Sequence, residues 1–65
     1  MSRLRSVDSR LLELADLARR EGEASERTRA AIRALRAEGC TLRALALASG
    51  VSKDTIARIC QREAA

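Results

Sequence analysis

Gly50 sits between two short stretches whose apolar residues recur at helical spacing, and this leaves the chain few ways to fold. Ahead of it, Leu42, Leu45 and Ala46 lie three and four residues apart, so a helix starting near Thr41 has one apolar face, with Thr41 suited to cap it. Glycine enters the left-handed backbone region at little cost, so Gly50 stops that helix, and Val51 beside it turns inward as an apolar pin. Behind the turn, Ser52 is the next cap, and Ile56 and Ile59 set a second apolar stripe. A connection this short holds two helices at a steep mutual angle. Their closest approach needs a small side chain, which Ala46 supplies.

What surrounds this pair must also be helical. Across 65 residues there is no Phe, Tyr or Trp, so the core has to come from Leu, Ile, Val and Ala, a set that favours close-packed helices. Proline is absent, and Ala, Leu, Arg and Glu dominate, which argues for an all-α protein. A chain of this size forms one domain spanning 1–65, burying only about 60% of its unfolded surface, and leaves no room for a large pocket.

In chain order, residues Met1 to Arg5 read as a short basic arm in which Arg3 and Arg5 either contact phosphate or the minor groove or are ordinary solvated terminal residues. A first helix is expected over about 7–21, capped by Ser6 or Asp8, with Arg19 and Arg20 at its negative end. Its central stripe is Val7, Leu11, Leu14, Ala15 and Ala18, flanked on opposite sides by Leu12 and Leu17. So wide an apolar arc points to a homodimer through the N-terminal helix, the other reading being that both leucines are half exposed on a small domain. Gly22 and Ser25 break the chain there, although one continuous helix through Gly22 is the other reading, with the N-terminal segment projecting as an arm. A second helix over about 26–38 turns Thr28, Ala31, Ile32 and Leu35 inward and ends at Gly39. Its outer row of Arg29, Arg33 and Arg36 is either a phosphate-contacting strip or an ordinary solvated face. The remaining helices fall over about 42–49 and 53–62.

The pattern of Leu45, Ala46, Gly50, Val51, Ile56 and Ile59 resembles the helix-turn-helix of DNA-binding proteins. One departure is Ser49, where family members are often apolar. The stretch from Glu26 to Arg62 is similar to the DNA-binding domains of serine resolvases and of the promoter-recognising region of sigma factors. The resemblance implies a tri-helical core over 26–65, with 1–25 as arm and N-terminal helix. It also implies that Ser52 to Arg62 enters the major groove while Leu42 to Ser49 crosses the backbone. The DNA-contacting residues it implies are Arg43, Ser52, Lys53, Asp54, Thr55, Ala57, Arg58, Gln61 and Arg62. Among these, Arg58 suits guanine, Gln61 adenine, and Ala57 close approach or a thymine methyl. Lys53, Ser52, Arg43 and Arg62 suit phosphate. Asp54 either stabilises the helix dipole or reads a cytosine amine, and Thr55 contacts phosphate or fills the cap.

The net charge of +4 agrees with a polyanionic partner, and the ratio of twelve Arg to one Lys either serves that partner or follows genome base composition. Without aromatics the chain has no stacking platform for single strands. It has no histidine, and its two cysteines do not form a CxxC pair, so neither a metal site nor a cofactor is expected and acid–base chemistry has no carrier. The longest apolar run, Ala44 to Ala48, is far below the ~20 residues a membrane span needs, and there is no signal peptide. The expectation is therefore a cytoplasmic protein, not an enzyme, with reduced thiols: a small bacterial or phage regulator that binds double-stranded DNA sequence-specifically. The alternative is a helical module that binds a host protein through the same scaffold. Cys60 is expected as a small buried hydrophobe and Cys40 as partly exposed.

Overall fold

The computed structural model describes residues 7–64 and the side chains of residues 8–61. It is all-α: α1 spans Val7–Glu21, α2 Glu26–Ala37, α3 Leu42–Ser49 and α4 Lys53–Ala64. The arm with Arg3 and Arg5, the Ser6 cap and the side chains of Val7 and Arg62 lie outside what is described.

The helix ends follow from local chemistry. Gly22, at φ 87°, turns the chain after α1, and its N–H closes on Ala18 O at 2.8 Å. The chain therefore breaks here and α1 folds back, because Ser25 offers a better start for the next helix. Ser25 Oγ accepts from the N–H groups of Arg27 and Thr28 at 3.1 and 3.4 Å and donates to Glu21 Oε1 at 2.8 Å. One hydroxyl thus ties the end of α1 to the start of α2. α2 stops at Ala37, with Glu38 as its C-cap and Arg36 Nη1 donating to Cys40 O at 2.8 Å beyond it. α4 continues two residues past the expected end at 62.

α1 and α2 are antiparallel neighbours. Arg27 meets Glu21 at 3.1 Å beside their connection, while Arg10 and Glu38 pair at the opposite end. The Glu38 carboxylate raises the pKa of the Arg10 guanidinium by hydrogen bonding to it. α1 packs on α2 and α3, and α4 packs on α2 and α3 from elsewhere, with no contact between α1 and α4. The core common to all four is Leu14, Ile32, Leu35, Cys40, Leu45, Val51, Ile56 and Ile59. Burying each of the larger aliphatic side chains contributes about 1.5–3 kcal/mol, which makes Leu14, only 1% exposed, as much a part of this core as Ile56.

Of the two leucines flanking the α1 stripe, Leu17 is half-buried and borders the α1–α2 groove with Leu14, Ala31 and Leu35, whereas Leu12 is 71% exposed. The outward apolar surface of α1 is therefore narrower than its sequence suggests. The cysteines differ from expectation in the same way. Cys40 is buried by the turn that carries it, and Cys60 is the half-buried one.

Candidate nucleic-acid interface

The outward face of α4 is set by its inward one. Ile56 is fully buried and Ile59 nearly so, which fixes the rotation of the helix. Lys53, Asp54, Ala57, Arg58 and Gln61, spaced three and four apart, then form a continuous stripe opposite them. Lys53, Asp54, Arg58 and Gln61 are exposed, and Ala57 is half-buried at its centre. Because α1 does not reach α4, no described element covers this stripe.

The turn that aims α4 is closely bonded. Gly50 lies at φ 76° with its N–H on Ala46 O at 2.9 Å. Ser49 Oγ donates to Leu45 O at 2.7 Å and accepts from Val51 N–H at 3.2 Å. A polar residue at this position thus holds the turn from within, back-bonding to a carbonyl one turn earlier and taking up the Val51 N–H just past the helix. Ser52 begins α4 by accepting from Thr55 N–H at 3.3 Å and donating to Thr55 Oγ1 at 3.1 Å. Thr41 caps α3 by accepting from Ala44 N–H at 3.0 Å, and Arg43 follows, exposed in the first turn.

The arginine row of α2 is divided by α4. On one flank, Arg29 and Arg33 line a cleft of about 150 Å³ with Thr55, Arg58 and Ile59. On the other, Arg36 borders an open groove with Leu42, Ala57, Cys60 and Gln61. Partial burial raises the Cys60 pKa, and the nearby Arg36 and Arg33 oppose this only in part, so the group stays a thiol at neutral pH and makes a poor nucleophile. The gathering of Arg29, Arg33 and Arg58 around one cleft was not evident in the sequence, where they lie on helices 29 positions apart at the extremes.

The charges sort by element. Arg19 and Arg20 pair with Asp16 at 3.0 and 3.3 Å, Arg27 with Glu21 at 3.1 Å, Arg33 with Glu26 at 2.6 Å, and Arg10 with Glu38. Arg29, Arg43, Lys53 and Arg58 have no acidic partner among the described residues. Every basic side chain of α1 that is described is thus compensated, while the uncompensated positive charge lies on α2, α3 and α4. No described helix is long and apolar enough to cross a membrane. Compared with protein-family models, curated proteins and solved structures, the chain matches none.

Proposed function

We propose that the protein binds double-stranded DNA sequence-specifically, as a small bacterial or phage transcriptional regulator. In this reading α3 and α4 act as a helix-turn-helix, α4 lies in the major groove, and α3 crosses the backbone. The observation that carries it is the segregation of charge. Arg29, Arg43, Lys53 and Arg58 on α2, α3 and α4 have no acidic partner among the described residues, while the described cations of α1 are all paired, Arg19 and Arg20 with Asp16 and Arg10 with Glu38 beyond α2. A polyanion gains most where cations are not already paired.

Within this reading Arg58 and Gln61 meet base edges and Ala57 admits a thymine methyl. Arg43, Lys53 and Ser52 meet phosphate, and Arg62 extends that contact at the far end. Ser52 and Thr55 already bond one another in the cap, which assigns them first to aiming the helix. The acid Asp54 in the first turn of α4 stabilises its positive end. The test is a preference profile over a duplex library. Arg58→Ala is expected to lower specific affinity by ~1–3 kcal/mol and relax one position, and Arg43→Ala to weaken all duplexes alike. An unchanged profile for Arg58→Ala would remove that residue from base reading.

A second reading, a module docking on another protein, is favoured by two large aliphatic side chains left outside, Leu12 at 71% and Leu47 at 77% exposure. Under the DNA reading Leu12 serves instead in a homodimer through α1. Two copies would then face an inverted repeat with half-sites about 10 base pairs apart.

A further inference from the structure

Arg29 is half-buried on α2, and its Nε is enclosed without a hydrogen-bond partner. A guanidinium nitrogen in that position has given up water and gained nothing, which is uncommon in a folded protein. The cleft it borders is walled by two more cations, Arg33, already engaged by Glu26, and Arg58, which is uncompensated. Thr55, on the same wall, accepts its hydrogen bond from Ser52, so its own hydroxyl hydrogen remains to be donated. A cleft lined by one sign of charge concentrates the opposite sign within it.

We propose that this cleft between α2 and α4 is a phosphoryl-anion site, with Arg29 and the Thr55 hydroxyl as its ligands and Arg33 and Arg58 supplying the field. The donor-bearing residues that line the cleft come from two helices, Arg29 and Arg33 from α2 and Thr55 and Arg58 from α4, and several donors on separate side chains suit a tetrahedral oxyanion. A planar carboxylate would be satisfied by one arginine fork alone. The volume of about 150 Å³ is roughly ten times what a single water needs, enough for such a group. The phosphoryl group has two sources, a phosphodiester of duplex DNA or a free phosphate. The first rests on the DNA reading and the second does not.

Two arms separate them, run on the full chain and on Arg29→Gln and Thr55→Val, each checked for helicity first. In the first arm, thermal midpoints are followed in sodium phosphate against sodium chloride at matched ionic strength and pH, without DNA. A saturable rise in phosphate that either variant abolishes identifies a free-anion site. In the second, duplex affinity is measured against salt. A several-fold loss shared by all duplexes in Arg29→Gln, with the slope of log affinity against log salt reduced by about 1, identifies a backbone phosphate. Phosphate and chloride curves that coincide, together with duplex affinity and slope unchanged in both variants, overturn the site while leaving the DNA reading standing. An Arg29-dependent phosphate effect in a protein that binds no duplex upholds the site and removes the DNA reading instead.

Discussion

Thr28 Oγ1 is sealed in the core with no hydrogen-bond partner, and its residue is 0% exposed. The hydroxyl loses its hydration on folding and recovers nothing, a cost of about 1–3 kcal/mol for a buried unsatisfied group. Thr28→Val replaces it with a methyl of similar shape, so unfolding by urea should show a stability gain of about 1 kcal/mol; a loss would mean that the hydroxyl contributes to the native state. At this scale the sequence was legible wherever a residue acts on its own backbone. Thr41 and Ser25 cap because their short hydroxyls reach N–H groups two or three residues on, and Gly50 turns because it lacks a Cβ. It was less legible where burial depends on distant neighbours. Cys40 and Cys60 exchange their expected exposures for that reason. Ser49, a departure from the pattern it otherwise resembles, is accounted for by two hydrogen bonds that only the folded turn brings within reach.

The four helices were readable as elements because caps and apolar periodicity agree in each. The mutual placement of α1 and the rest was not, since the same stripe of leucines serves an internal partner or a second copy. Leu14 resolves part of this: at 1% exposure beside Leu35 and Ala31, it makes α1 a structural member of the core. Leu14→Ala should therefore cost about 2–5 kcal/mol, measurable by thermal or urea unfolding and comparable to the whole stability of a small domain. A negligible cost would show α1 to be a detached segment. The arginine row of α2 gives the converse lesson. Its spacing is plain in the sequence, but its division between the two flanks of α4 follows from how two helices cross.

At the scale of the whole molecule, α1 and α4 sit on the shared α2 and α3 without touching; the described cations of α1 are all paired, while α2, α3 and α4 carry unpaired ones. This division suits a protein that meets a polyanion with one side and a second copy with the other. Sedimentation should then find a dimer that Leu12→Glu converts to monomer. A monomeric parent at ~100 μM would separate the exposed Leu12 from self-association, because a useful dimer must form well below that concentration. DNA binding itself is tested most directly by fluorescence anisotropy of labelled duplexes, comparing DNA from upstream of the protein's own gene with a scrambled duplex at ~50 and ~200 mM salt. Binding that is tighter for the upstream duplex and weakens steeply with salt is the expected result. Equal binding to both duplexes would contradict sequence-specific recognition, and no binding at the lower salt would contradict a DNA partner altogether.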